Sequence, residues 1–353
     1  MLVVAGCSGG GGSDNSSGNS DSKTLTIGLS TDNNSFDIHD HNNTSTEAIH
    51  VNLFSYLVKR GEGSGEFVPD LAESWENVND TTWKFKLREG VTFHNGEELT
   101  ADDVKFTLER VAKDETLLEH ASYNQIKEVS VLSDYEFEII TYNPEPALLN
   151  RLSRIGSGIL PKDYIETEGW EVFLEKPVGT GPYQLQEWVK DDHLTFVPYE
   201  EYFGGDQQWD ELVFRVIPED STRVSELLTG GIDIAVNVPP EDVERIDAED
   251  GVAAVTAEIQ RVMLLVLRTG EGWPTSDPKV REAIDLAIDK QGIVDTILGG
   301  AGNVTRTRVT PGNFGANEDL YGQTLYDPER AKELLAEAGY ADGLEITFSS
   351  PQN

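Results

Sequence analysis

Cysteine is almost absent from the sequence, since Cys7 is the single one among 353 residues. One cysteine excludes an internal disulfide framework and any metal site built from several thiolates. Basic residues are also scarce: 27 Lys and Arg stand against 64 Asp and Glu, which gives a formal net charge of −37. A field of that sign repels nucleic acid and anionic lipid headgroups and argues against polyanion binding.

The acidic residues are spread along the whole chain, including helical patterns such as DPERAKELLAEAGYAD. This spread favours a halophilic source, in which surface carboxylates hold water at high salt. An ordinary acidic extracellular protein is the alternative. The length exceeds that of one ordinary core and suggests two or three lobes.

Catalytic signatures are missing as well. The sequence contains no nucleophile elbow, zinc H-E-x-x-H motif, P-loop or EF-hand loop. Its dense histidine cluster is DIHDH, from Asp37 to His41, where His-x-His beside Asp37 and Asp40 offers the residue types of a transition-metal site. A polar loop after a strand explains the same residues, so we assign no metal and no cofactor. We predict that the chain is not an enzyme.

The start of the chain has the pattern of a lipobox. LVVAGC places an apolar run, Ala and Gly directly before Cys7, which would become the lipidated residue of an anchored protein. A Gly/Ser/Asn/Asp linker, residues 8–22, then provides a flexible tether. A chance cysteine in a disordered tail is the alternative. Few residues precede Cys7, so we expect a clipped or mis-started signal peptide.

Alternating and helical apolar patterns fill the rest of the chain. TLTIGLS, TTWKFKL and the two halves of IKEVSVLSDYEFEIITY predict strands, and VTF after REG predicts a hairpin partner for TTWKFKL. KVREAIDLAI and ERAKELLAEAGY predict helices, with Gly339 at the C-terminal end of the second. Mixed elements without strict βαβ alternation predict an α/β or α+β body.

The stretch GVTFHNGEELTADDVKFTLERV carries a histidine and several acids in front of an apolar helix pattern. Thr100 followed by Asp103 resembles a capping box, and Asp102 with Asp103 lies where the helix dipole favours negative charge. His94 precedes a turn, Asn95 to Glu98. These residues therefore predict a helix start beside a turn and no catalytic site.

The same stretch resembles the signature of the extracellular solute-binding proteins of family 5, which serve peptide, dipeptide and nickel ABC transporters. Further segments resemble the family in family order: FVPDLAESWE (67–76), PVGTGPYQLQEW (177–188), LTGGIDIA (228–235), DPKVREAIDLAIDKQGIV (277–294) and YDPERAKELLAEAGY (326–340). Together they cover nearly everything from Thr24 onward.

The resemblance implies an α/β fold like the type II periplasmic binding proteins, with two hinged lobes and an extra inserted domain. The expected division is a lipobox remnant and linker over 1–22, a discontinuous first lobe over 23–47 and 177–262, an inserted domain over 48–176, and the other lobe from 263–353. Family members continue well past this length, so the resemblance implies a C-terminally truncated chain.

The function implied by the resemblance is that of the substrate-binding component of an ABC importer. It would capture peptides or other small solutes as a monomer, deliver them to the ABC permease subunits, and be held at the cell surface by a lipid anchor on Cys7. A nickel or metal-chelate binding protein of the same family is the alternative.

Candidate solute contacts also follow from the resemblance. The loop after the first strand would contribute Asn33, Ser35, Phe36 and His39. The segment VMLLVLRTG, expected to be a strand, would present Arg268. Family members often have Asn near this point, so Arg268 departs from the family pattern, and it can bind a carboxylate through two nitrogens. Trp273 could stack on a solute. Capping or local ion pairing by Arg268, and packing by Trp273, are the alternatives.

Overall fold

The computed structural model describes residues 23–61, 66–154, 156–257, 259–311, 313 and 315–350. These residues divide into two compact units, one ending at Asn237 and one beginning at Val238. No helix in the described part of the chain has the length and apolar character needed to cross a membrane. Cys7 and the predicted linker lie outside the described residues.

The first unit contains both strands and helices. Its strands are β1 (Thr24–Leu29), β2 (Val58–Arg60), β3 (Phe67–Pro69), β4 (Ala72–Asn79), β5 (Thr82–Leu87), β6 (Ile126–Ser133), β7 (Glu136–Thr141), β8 (Tyr183–Val189), β9 (His193–Pro198), β10 (Glu211–Val216) and β11 (Ile234–Ala235). Its helices are α1 (Thr44–Leu53), α2 (Ala101–Lys113), α3 (His120–Tyr123), α4 (Leu148–Arg151), α5 (Lys162–Glu168), α6 (Trp170–Glu175) and α7 (Asp220–Leu228).

A five-stranded sheet joins the beginning of this unit to its end. The strand order is β11-β1-β10-β9-β8, with β1 parallel to β10 and β11 and the remaining neighbours antiparallel. The predicted strand at TLTIGLS is therefore confirmed. One core covers this sheet and includes Phe36, Leu53, Phe54 and Phe173. The sheet combines the two sequence segments assigned to the discontinuous first lobe, whose exact bounds stay a prediction.

A separate antiparallel sheet, ordered β4-β5-β7-β6, lies between those two segments in the sequence. Helix α2 packs against β6, and Phe85 stacks on Phe137 with ring centroids 5.3 Å apart in the core beneath. The hairpin predicted between TTWKFKL and VTF is wrong. Both edges of β5 are occupied, by β4 and β7, and Gly90 (φ 74°) turns the chain away, so Thr92 makes only an isolated bridge to Glu98.

Two glycines of the GTGPY segment let it pass against the end of α1. A Cβ on Gly179 would lie 2.0 Å from the Leu53 carbonyl oxygen, and one on Gly181 would lie 2.4 Å from that of Asn52. The Gly181 N–H donates to the Leu53 oxygen at 2.8 Å, and the Ser55 hydroxyl donates to the Thr180 oxygen at 3.0 Å. Only glycine permits this backbone-to-backbone approach.

The regular secondary structure described in the second unit is helical. Its α-helices are α8 (Val243–Asp247), α9 (Pro278–Ala287), α10 (Lys290–Thr296) and α11 (Pro328–Glu337). Helices α9 and α11 begin alike, with aspartate caps at Asp277 and Asp327 and proline next. They pack together through Ala283, Leu286, Ala331 and Leu334. Gly339 (φ 92°) follows α11, as predicted for a helix C-terminus.

The strand predicted at VMLLVLRTG is wrong. Residues 261–269 take no regular secondary structure, and Met263 and Val266 are 87% and 84% exposed. A strand needs a hydrogen-bonded neighbour, and no strand is formed among the described residues from Val238 onward. The apolar run thus has the composition of a strand without a partner to pair with it.

Replacing Gly179 by Ala is expected to destabilise the first unit, because the new methyl group meets a backbone carbonyl that cannot rotate away. The expected loss is roughly 1–3 kcal/mol in the free energy of unfolding, measured by urea denaturation followed by circular dichroism. Gly270→Ala is the control, since a Cβ there meets no atom within 4 Å. Equal midpoints for both variants would contradict this account of the GTGPY segment.

Candidate functional site

The loop after β1 carries four of the predicted site residues and is fixed at its start by Asp32. The Asp32 carboxylate accepts hydrogen bonds from the Trp188 indole N–H at 3.2 Å and from the Asp191 backbone N–H at 2.9 Å. Trp188 belongs to β8, and Asp191 lies in the turn between β8 and β9. The loop is therefore attached to the hairpin that ends the five-stranded sheet.

Asn33 is a predicted site residue with unused binding capacity. Its side chain is buried, with 3% of the residue exposed, yet neither amide atom has a hydrogen-bond partner among the described residues. An unpaired buried polar group costs about 1–3 kcal/mol, and nearly all such groups in proteins are paired. A solute or water that supplies the missing partners would recover that free energy.

Ser35 and Phe36 are engaged inside the unit. The Ser35 hydroxyl accepts the Asp37 N–H at 2.9 Å, and its carbonyl accepts the His50 Nε2–H at 2.9 Å. Phe36 is fully buried, stacked on His50 and edge-on to Trp188 at centroid distances of 5.7 and 5.2 Å. Their contact with a solute stays a prediction; the geometry gives them packing and loop-shaping roles.

His39 and Asp37 share Arg110 of helix α2. The guanidinium donates to both Asp37 carboxylate oxygens at 2.8 and 2.6 Å and to His39 Nδ1 at 2.6 Å, and it stacks on the Trp170 ring at 4.0 Å. Burial and the adjacent Arg110 charge lower the pKa of His39 to about 3. Burial pushes the pKa of Asp37 up, but Arg110 outweighs it and the net pKa is lowered. His39 is thus a neutral acceptor.

Arg110 and Trp170 were not identified from the sequence. Arg110 does not belong to the apolar face of α2 that Val104, Leu108 and Val111 define, so periodicity alone describes it as a surface cation. Its partner Asp37 lies 73 positions away. The only sequence feature that indicated an ion pair for Arg110 was the charge balance, because an arginine in so acidic a chain has many possible carboxylate partners.

The acidic stretch before α2 is structural, as predicted. The Asp103 carboxylate accepts the Thr100 backbone N–H at 2.8 Å, which confirms the capping box, and it also accepts the Lys162 N–H at 2.9 Å. His94 accepts the Gly179 N–H at 3.2 Å through Nδ1 and donates from Nε2 to the Gly181 oxygen at 3.0 Å. Burial lowers the pKa of His94 to about 4, so the neutral ring fits this pair of bonds.

In the second unit, the structure brings together the two predicted residues Arg268 and Trp273. The guanidinium lies over the indole ring, 4.6 Å from its centroid, and the Thr275 hydroxyl donates to the Arg268 carbonyl at 2.6 Å. Both side chains are exposed, and Trp273 is 48% exposed. No carboxylate pairs with Arg268 in the described part of the chain. Local ion pairing is therefore not what holds it.

Comparison with known proteins places the chain in a family. The model of the bacterial extracellular solute-binding proteins, family 5 Middle, matches residues 66–353. The chain belongs to this family. Its members are extracellular or periplasmic transport binding proteins and not enzymes, so the prediction that the chain is not an enzyme is confirmed.

One similar protein is the dipeptide-binding protein of Escherichia coli, 31% identical over 326 residues that cover 86% of this chain and 61% of that protein. A solved structure, an ABC transporter-associated periplasmic binding protein from Helicobacter pylori in complex with the peptide STSA, is 26% identical with a TM-score of 0.80 over 91% of this chain and 67% of that one. NikZ from Campylobacter jejuni, in complex with Ni(L-His), is 27% identical with a TM-score of 0.73 over 89% and 63%.

These likenesses confirm the predicted fold class, a mixed α/β periplasmic-binding-protein fold. The chain spans about three fifths of the length of the curated relatives it matches. The domain bounds and the solute contacts remain predictions.

Acid is expected to destabilise the protein through its buried histidines. The folded-state pKa is about 3 for His39 and His50 and about 4 for His94, below the ordinary value of 6.5. Between those pH values the unfolded chain binds more protons than the folded one. The stability that the neutral histidines contribute is therefore fully present above pH 6.5 and is lost as the pH falls. A fully neutral buried histidine contributes up to about 1.4 kcal/mol per pH unit.

His94→Gln tests this pH dependence, because the amide can keep both hydrogen bonds without titrating. Its melting temperature is expected to fall less steeply than that of the wild type between about pH 6.5 and 4.5. His193→Gln is the control: its partly exposed ring has a pKa raised by the Asp192 hydrogen bond, so its removal should not flatten the acid slope. Identical slopes for wild type and His94→Gln would contradict the assignment.

Proposed function

We propose that the protein is the substrate-binding component of an ABC importer and captures extracellular peptides or peptide-like solutes for a membrane permease. The observation that carries this proposal is the exposed Arg268 guanidinium, which is stacked on Trp273 and pairs with no carboxylate among the described residues. A peptide brings a terminal carboxylate and apolar side chains, which match that pair. Relatives named for dipeptides and oligopeptides support the same class of solute.

Arg268 is suited to carboxylate recognition by the geometry of its side chain. A guanidinium offers parallel N–H donors that match both oxygens of a carboxylate, and these charge-assisted bonds are stronger than neutral ones. The indole ring restrains the plane of the guanidinium and adds a cation–π attraction of about 0.5–1 kcal/mol at an exposed site. The cation is therefore partly oriented before the solute arrives.

The charge of the whole protein bears on the choice of solute. A formal charge of −37 repels free anions and attracts cations, and this long-range field is screened beyond about 8 Å at physiological ionic strength. A zwitterionic peptide suits such a surface better than a simple anion. Its amino group is attracted by the general field, and its carboxylate finds the local cation at Arg268.

The transport role needs no bond-making chemistry. Two lobes close over a solute, the solute shifts the population toward the closed form by its preference for that form, and the permease recognises it. Lipidation of Cys7 would hold the protein at the cell surface and raise its effective concentration near the permease. The protein acts as a monomer in this scheme.

Nickel or metal-chelate capture is the second candidate. It is favoured by the likeness to NikZ with bound Ni(L-His) and by the histidine-bearing loop after β1. His39, however, is occupied by Arg110, and burial lowers its pKa to about 3. The two candidates differ in the solute that the protein should retain.

Calorimetry with peptide pools and with Ni(II)–histidine separates the candidates. Arg268→Ala is expected to weaken peptide binding about 10- to 100-fold, because it removes charge-assisted hydrogen bonds of about 1.5–3 kcal/mol. Arg308→Ala, another exposed arginine of the second unit, is the matched control and should bind as the wild type. Unchanged affinity in Arg268→Ala would remove that residue from the site. Binding of a sugar, with neither peptides nor chelates retained, would make the peptide proposal wrong.

A further inference from the structure

Three side chains with metal-ligand atoms converge where the loop after β1 enters α1. They are His41, which lies two residues before the helix cap Asn43, and Glu47 and His50 on the helix itself. One ligand atom from each lies within 4.8 Å of the others. Glu47 and His50 are three positions apart and share a helix face, the Glu-x-x-His spacing by which helical bundles present metal ligands.

The two histidines point ring nitrogens at each other. His41 Nε2 and His50 Nδ1 are 3.1 Å apart, and the rings meet nearly at right angles, with an interplanar angle of 88°. A tetrahedral ion at ordinary zinc–nitrogen distances holds two imidazole nitrogens roughly 3.3 Å apart. A rotation of the two rings, together with a shift of a few tenths of an ångström, would therefore admit an ion that both nitrogens bind.

The tautomer of His50 is set by its second nitrogen. Its Nε2 lies 2.9 Å from the Ser35 carbonyl oxygen, which can only accept, so Nε2 carries the proton. The lone pair of Nδ1 is thereby left facing His41. Metal-binding histidines are typically oriented in this way, with the other ring nitrogen donating to a carbonyl or a carboxylate.

Without an ion, the two ring nitrogens of His41 are not both satisfied. Its Nδ1 is buried and has no hydrogen-bond partner in the described part of the chain. If Nε2 carries the proton and donates to His50, a buried acceptor at Nδ1 is left unpaired. If Nδ1 carries it, two lone pairs oppose each other across 3.1 Å. A cation between the two rings removes the second conflict.

Glu47 supplies the negative charge. One of its oxygens accepts the Tyr56 hydroxyl at 2.6 Å, which orients the carboxylate. Burial raises the pKa of Glu47, lowers that of His41 and lowers that of His50 to about 3, so both rings are neutral ligands at neutral pH. Glu47 is half-buried, whereas His41 and His50 are buried.

We propose that His41, Glu47 and His50 bind one divalent transition-metal ion, of the class that prefers imidazole and carboxylate ligands, such as Zn²⁺ or Co²⁺. The ion joins the loop after β1 to α1, and through His50 it fixes the Ser35 carbonyl. It is a resident ion and not a transported solute. The site is independent of Arg268 and of the proposed function.

Titration calorimetry and native mass spectrometry with Zn²⁺ and Co²⁺ test the site, in a Cys7→Ser background that removes the single thiol. One ion per chain is expected. His41→Gln and His50→Gln should each weaken its binding by about 10-fold or more. His193→Gln is the matched control, because this histidine lies at the surface beside Asp192 and Glu187 and offers the competing exposed site.

Two measurements on the protein with its native histidines keep the test valid if a variant fails to fold. X-ray absorption of the zinc-loaded protein should show two imidazoles around the ion, and excess Zn²⁺ should raise the melting temperature, because it binds the folded state preferentially. Absence of binding, a shell without imidazole, or binding lost in His193→Gln and kept in both cluster variants would overturn the proposal. Arg268→Ala should bind the ion as the wild type does, so failure of the peptide proposal leaves this result readable.

Discussion

The ion pair between Arg110 and Asp37 is the contact on which the arrangement of the first unit depends. Arg110 belongs to the helix that covers the four-stranded sheet, whereas Asp37 belongs to the loop that leaves the five-stranded sheet. The guanidinium is enclosed by the Trp170 ring on its face and by His39 at its edge. Breaking a fully buried pair by removing one partner typically costs about 3–5 kcal/mol, because the other charge remains buried. Arg110 is only partly buried, so a smaller cost is expected for this pair.

Two further connections, which involve backbone atoms, reinforce this junction between the parts of the first unit that carry the four-stranded and the five-stranded sheet. His94 forms hydrogen bonds to both glycines of the GTGPY segment, and that segment passes within hydrogen-bond distance of the end of α1. The junction therefore combines a charge pair, a neutral histidine and a glycine-dependent backbone approach. The loop after β1 is held by groups outside itself, by Trp188 at Asp32 and by Arg110 at Asp37, and Asn33 stays buried in it with an unpaired amide.

The sequence predicted those features that depend on neighbours along the chain. The capping box at Thr100 and Asp103, the strand of β1 and the helix end at Gly339 rest on spacings of a few residues, and all three are found. The resemblance carried by longer motifs predicted the fold class. The failed predictions depend on pairing between distant segments. The VTF segment does not pair with β5 because β5 is flanked on both edges. Residues 261–269 have no neighbouring strand among the residues that the structure describes.

The same distinction between near and distant sequence neighbours applies to the candidate site. Arg268 and Trp273 were identified separately, and their stacking follows from a short turn, which sequence spacing alone does not specify. The sequence did not predict Arg110 as a partner of the loop, since 73 positions separate it from Asp37. His41 and His39 are two residues apart, yet they contact different groups, His50 and Arg110. Residue types in a motif thus indicated the chemistry available but not which side chains meet.

Hydrogen exchange of Arg110→Met, read by mass spectrometry peptide by peptide, tests most directly whether this ion pair holds the loop. Lys113→Met is the control, because Lys113 lies on the same helix in an exposed pair with Glu109. The account predicts faster exchange in residues 35–41 and around Trp170 in Arg110→Met, with wild-type exchange in Lys113→Met. Unchanged exchange in the loop, or a change confined to α2, would contradict it.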